Sequence, residues 1–104
     1  MRHIITGTVT GTGAAINVPL GFVPEHVRLV NDTAGNSLEW YSSMTNGHAY
    51  KRLAVGTGTK ILTLGVSAFA GADGVAPGFT IGTDADVNVN TVPMRFIASR
   101  GFPA

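Results

Sequence analysis

The segment His26-Val-Arg-Leu-Val-Asn31, the loop Asp32-Thr-Ala-Gly-Asn36 and the segment Ser37-Leu-Glu-Trp-Tyr41 read together as a β-hairpin. Val27 and Leu29 alternate with Arg28 and Val30, and Leu38 and Trp40 alternate with Glu39 and Tyr41. That period of two is what a strand with one buried face requires. Gly and Asn in the connection supply the backbone bends that join neighbouring antiparallel strands. Trp40 is therefore expected in the core beside Leu38, with Tyr41 turned outward.

The pattern repeats on either side of this hairpin. His3 to Thr10 is rich in β-branched residues, with Gly7 marking a bulge or a close backbone approach. Ala15 to Val18 alternates and stops at Pro19, which has no N–H to give a ladder. Asn46-Gly47 is a turn signal before a strand from Ala49 to Val55, and Gly56-Thr-Gly58 turns the chain again before a strand from Lys60 to Leu64. Gly65 to Pro77 reads as an extended loop around Phe69, and Gly78 to Asn90 as a polar segment of turns. Val92 to Ser99 closes the series, with Pro93 at an edge or a first position. Glycine interrupts every window long enough for an amphipathic helix. The expectation is an all-β fold, a small antiparallel β-sandwich or barrel of about six to eight short strands. At 104 residues it forms one domain, since a second core needs roughly 50 residues of its own. Residues 1–10 are either an N-terminal arm or the first strand.

Composition narrows the function classes. Charged residues make up 12 % of the chain, about half the usual level of roughly 25 %. A small core and a weakly charged surface favour self-association. The net charge is +1 and the seven basic residues form nothing longer than the pair Lys51-Arg52, which gives no electrostatic argument for nucleic acid or an acidic membrane. There is no cysteine, hence no disulfide, thiolate or Cys-based zinc site. No apolar run approaches the roughly 20 residues of a spanning helix, and the N-terminal residues break too early for a signal peptide.

No motif amounts to a reaction centre. Asp84-Ala-Asp-Val-Asn88 opens like a calcium loop, but Val89 stands where that loop needs Gly and Arg95 where it needs Glu; a polar turn held by side-chain to backbone hydrogen bonds is the expectation. Gly56-Thr-Gly-Thr-Lys60 lacks the Gly before Lys and the following helix of a phosphate loop. His3, His26 and His48 have no metal-ligand spacing. Trp40-Tyr41 with Tyr50 would make an aromatic platform for a sugar or a stacked base, against which alternation turns Trp40 inward and leaves Tyr41 outward. Asn31-Asp-Thr33 is a glycosylation sequon by pattern alone.

The runs Gly21-Phe-Val-Pro-Glu-His-Val-Arg-Leu-Val-Asn31, Leu38-Glu-Trp40, Gly71-Ala-Asp-Gly74 and Gly78 to Asn88 resemble small structural proteins of tailed bacteriophages, and among these the head decoration, or cement, proteins. The resemblance implies a non-enzymatic virion protein, commonly a homotrimer, made in the host cytoplasm. Such a protein sits on the outside of the capsid and clamps subunits of the major capsid protein. It implies no enzyme activity and no cofactor, and the residues themselves give no metal site and no nucleic-acid, membrane or small-molecule partner. The alternative is a receptor- or carbohydrate-binding module of a tail fibre or spike. Arg2, His3, Ile4 and Ile5, in a terminal segment able to add to a neighbour's sheet, and Phe69, Val75 and Pro77, around the apolar loop, are the candidate contacts with the capsid or with another subunit.

Overall fold

The structure, a computed structural model, describes residues 3–100, and among these it has nine strands and no helix. They are β1 (His3–Thr10), β2 (Ile16–Pro19), β3 (His26–Asn31), β4 (Ser37–Tyr41), β5 (Ala49–Arg52), β6 (Gly58–Ile61), β7 (Val66–Phe69), β8 (Gly78–Ile81) and β9 (Pro93–Arg100). A six-stranded antiparallel sheet has the order β1-β9-β3-β4-β5-β6, and a three-stranded one the order β2-β8-β7. Both are open, so the protein is all-β with the arrangement of a small sandwich. β3 and β4 keep the expected bounds, with the expected five-residue loop between them.

The inner faces of the two sheets make one core. Val27, Leu29, Leu38, Trp40, Met94 and Ala98 come from the larger sheet, Val18, Val66, Phe79 and Ile81 from the smaller. Phe79 meets Phe96 edge to face across the interface, with centroids 5.4 Å apart at 70°, a favoured aromatic geometry. Burial of each large apolar side chain here contributes about 1.5–3 kcal/mol. Trp40 is inward and Tyr41 outward, as the alternation requires.

The strand count exceeds the expected six to eight because β7 and β8 lie in stretches read as loop and turns. Both are four residues long and flanked by glycine, too short to display an alternation. Val66, Phe79 and Ile81 nonetheless carry the fully buried part of the smaller sheet's inner face, beside Val18 and the partly buried Ile16. Gly65 to Pro77 is accordingly a strand plus the β7–β8 connection, in which Ala72 and Val75 form a single bridge. β5 ends at Arg52 and not at Val55, β6 runs from Gly58 to Ile61 and not from Lys60 to Leu64, and β9 starts at Pro93.

Several glycines are dictated by what lies beside them, two of them in the strands of the sheets. Gly7 marks neither a bulge nor a close backbone approach: it pairs in unbroken register with Phe96, and it is the Phe96 ring that a Cβ there would meet, at 2.9 Å. Gly78 opens β8 where β2 passes so closely that a Cβ would overlap the carbonyl oxygen of Val18. β1 is the first strand of its own sheet, paired from His3 to Thr10 with Arg100 to Pro93. β9 lies between β1 and β3.

Candidate functional site

Two polar assemblies stand out, one partly buried at the end of the smaller sheet and one on the surface. The partly buried one is the Asp84–Asn88 turn. The Asp84 Oδ1 accepts from the Asp86 N–H at 3.0 Å, the Asp84 carbonyl accepts from the Asn88 N–H at 2.9 Å, and the buried Asn88 side chain ties in residues 12–14 and 82. Lys51 shares the inward face of β5 with Ala49. Its Nζ lies 2.9 Å from Asp84 Oδ2 and 2.6 Å from Asp86 Oδ2. An ammonium therefore holds the place between the two carboxylates that a calcium reading would give to a metal. The turn locks the end of the smaller sheet to the larger one.

Partial burial is the strongest single influence on Lys51 and acts downward. The hydrogen bonds to Asp86 and Asp84 and the attraction of both charges together outweigh it, so the pKa is raised above its ordinary 10.5. A pKa raised in the folded state stabilises the fold fully below the unfolded value and loses that contribution as pH rises through the folded one. Lys51→Met leaves the buried Asp84 carboxylate without its cation and is expected to lower stability by roughly 2–4 kcal/mol. Urea unfolding at neutral pH measures this, and on the alkaline side the gap between variant and wild type should narrow once the pH rises above 10.5.

The surface assembly is the outward face of the six-stranded sheet. Register places Thr6, Ile97, Arg28, Glu39, Tyr50 and Lys60 in one row across all six strands. Thr8, Arg95, Val30, Ser37, Arg52 and Gly58 make the next row. Of the seven basic residues Arg2 lies outside the described residues. Of the remaining six, Arg28, Arg52, Lys60 and Arg95 share this face, while Lys51 is on the inward face and Arg100, exposed at the end of β9, lies over the ring of Phe22. Basic residues that are scattered in the sequence are thus gathered in space. The outward face of the smaller sheet, with Asn17, Ser67 and Thr80, carries no charge.

Between β3 and β6 the outward face forms an open cleft of about 570 Å³ lined by Arg28, Ser37, Glu39, Tyr50, Arg52 and Lys60 among others. Glu39 is held by the His26 ring, Nε2 to Oε2 2.9 Å, and that ring lies against Tyr41 at 4.8 Å. Arg95 pairs with Asp32 at 2.9 Å. Arg28, Arg52 and Lys60 have no carboxylate partner among the described residues. Tyr50 is 49 % exposed.

The residues singled out in the sequence fall elsewhere. Ile4 is half exposed on the outer side of β1 and Ile5 is inward and partly buried; His3 enters through its backbone pairing with Arg100. Phe69 pairs with Gly78 at the end of the smaller sheet, Val75 is exposed in the β7–β8 connection, and the Pro77 carbonyl accepts from the N–H groups of Leu20 and Gly21. The two groups belong to different sheets. Among the described residues, no three His, Cys, Asp or Glu side chains converge as metal ligands, with His26 on the sheet face and His48 in the turn before β5. The sequon residue Asn31 is buried, its Oδ1 accepting from the N–H groups of Thr33 and Ala34 and its Nδ2 donating to the carbonyls of Asp86 and Val87. The aromatic platform is reduced to Tyr41 and Tyr50, since Trp40 is in the core.

Fold and surface define an all-β two-sheet module with one cationic, aromatic-bearing face. The chain matches no protein-family model, no curated protein and no solved structure.

Proposed function

We propose that the protein is a non-enzymatic virion structural protein, a decoration or cement protein that binds the outside of a tailed-phage head as a homotrimer and braces neighbouring major capsid subunits. The observation that supports this reading best is the free edge of β1. All eight residues of β1 pair with β9 on one side, and no strand among the described residues pairs with the other. Monomeric proteins blunt such edges with short strands, charges, prolines or bulges. β2 is four residues long and carries Pro19, β6 is four residues long and carries Lys60, and β7 is four residues long. β1 from Ile4 to Thr10 has neither charge nor proline, and its register is continuous.

An edge of this kind takes up a strand from another chain through main-chain hydrogen bonds. Ile4 and Ile97, both exposed, give apolar area beside it, and Arg2 and His3 extend the contact in sequence. The connection around Phe69, Val75 and Pro77 is the second contact in this reading, reaching a neighbouring subunit from the other sheet.

Purified protein mixed with heads assembled without it should co-sediment with them, and sedimentation of the free protein should give a trimer. Thr8→Lys places a charge on the open edge without touching the core; we expect an unchanged urea midpoint and head binding weakened at least tenfold. Failure of the wild-type protein to bind heads overturns the cement role. Equal binding by Thr8→Lys removes β1 as the contact and leaves the role standing.

A further inference from the structure

We infer that the cleft across β3, β4, β5 and β6 is a binding site for an acidic saccharide, a chain of sugar rings bearing carboxylates. This goes beyond the capsid role and does not depend on it, since the cleft is on a sheet face and the proposed capsid contact is a strand edge.

The sign of the ligand follows from the charges. Arg28, Arg52 and Lys60 reach the cleft from three strands with no carboxylate partner among the described residues, against the one acid Glu39. Four strands at about 4.8 Å spacing make the cationic strip roughly 14 Å wide, enough for more than one ring. The volume, about 570 Å³, lies within the usual range of ligand sites, roughly 300–1,000 Å³.

The kind of anion follows from the other groups. Tyr50 sits in the row between Glu39 and Lys60, and its exposed ring offers an apolar face for the C–H face of a sugar. Glu39, fixed by His26, is an acceptor that pairs well with vicinal hydroxyls and repels a phosphodiester. Ser37 adds a hydroxyl donor and acceptor at the wall. A nucleic acid calls for cations without an interposed carboxylate and for several stacked aromatics. A carboxylated sugar satisfies both signs at once: its carboxylate takes the planar fork of Arg28 or Arg52, its hydroxyls take Glu39 and Ser37, and its ring lies on Tyr50.

The test is a titration of the full chain, followed by amide NMR shifts, with hexamers of galacturonate and of hyaluronate, a neutral galactose hexamer and a twelve-residue deoxythymidine oligonucleotide. We expect at least one acidic hexamer to move the amides of β3 to β6 and to bind at least tenfold tighter than the neutral one. Arg28→Gln and Tyr50→Ala, both at exposed positions, should each weaken it at least tenfold with the remaining spectrum unchanged. Asn17→Ala, on the opposite sheet, should leave it unaltered. Glu39→Gln should weaken the sugar and strengthen the oligonucleotide. Absence of binding by both acidic hexamers, indifference to Arg28→Gln and Tyr50→Ala, equal binding of the neutral hexamer, or tighter binding of the oligonucleotide would each overturn the proposal, the last by showing a nucleic-acid site.

Discussion

Gly78→Ala should lower the stability of the protein by at least about 3 kcal/mol, the cost expected where a mutation forces backbone apart inside a sheet. The added methyl would overlap the Val18 carbonyl oxygen and press on Leu20 N, so no side chain can rotate away to relieve it. β2 and β8 must separate, and with them the inner face that carries Val18, Phe79 and Ile81. Against a total of about 5–15 kcal/mol for a domain of this kind, much of the folded population is at risk. Gly58→Ala is the control: it also opens a four-residue strand, but its Cβ would meet nothing nearer than the Lys51 carbonyl oxygen at 4.0 Å. Alanine there should be neutral or stabilise by about 0.4–1 kcal/mol through the unfolded state. Urea midpoints at constant slope decide; equal midpoints for the two variants would refute the close β2–β8 approach.

Asn88→Ala should cost roughly 3–4 kcal/mol. The Asn88 side chain is 2 % exposed on a residue basis and uses all of its main hydrogen-bonding capacity. Its Oδ1 accepts from Thr12 N at 3.0 Å and Gly13 N at 3.1 Å, and its Nδ2 donates to Ala14 O at 2.7 Å and Gly82 O at 2.9 Å. Alanine orphans the N–H groups of Thr12 and Gly13 and the Gly82 carbonyl, and leaves the Ala14 carbonyl with the Thr12 hydroxyl alone. Water reaches some of them, which keeps the cost below the full sum of about 1–3 kcal/mol per group. Asn17→Ala, which removes only the exposed bond with Thr80, should change stability by less than about 0.5 kcal/mol. Amide exchange at Thr12 and Gly13 should accelerate in Asn88→Ala and not in Asn17→Ala.

What could be read from the sequence was whatever local alternation encodes. β3 and β4 have five or six residues each, strict apolar alternation and a turn between them, so bounds and facing were both legible. β7 and β8 were not, because four residues between glycines hold too few positions to separate a strand from a loop. Asp84 to Asn88 was legible as a turn, since Asp and Asn bond to nearby backbone in any context. Its partner Lys51 stands 33 positions away. The one local hint was parity: a lysine on the same face of its strand as Ala49 needs an anion inside the molecule. The cationic cleft left no trace in sequence spacing, because Arg28, Glu39, Tyr50 and Lys60 become neighbours only through three separate strand registers.

The position of β9 constrains how the chain can fold as it is synthesised. β3 to β6 follow one another and pair in order, so this half of the larger sheet can assemble from local hairpins as each is made. β1 cannot join it, because the strand that seats β1 against β3 is the last of the nine. Until β9 emerges from the ribosome, both edges of β1 and the β9 side of β3 stay exposed, and closure of the long loop between them comes late and slowly. During that interval the eight-residue β1 is a sticky strand on every nascent copy. Neighbouring copies on a polysome would meet first through β1, which makes stalled or truncated products lacking β9 the species expected to aggregate.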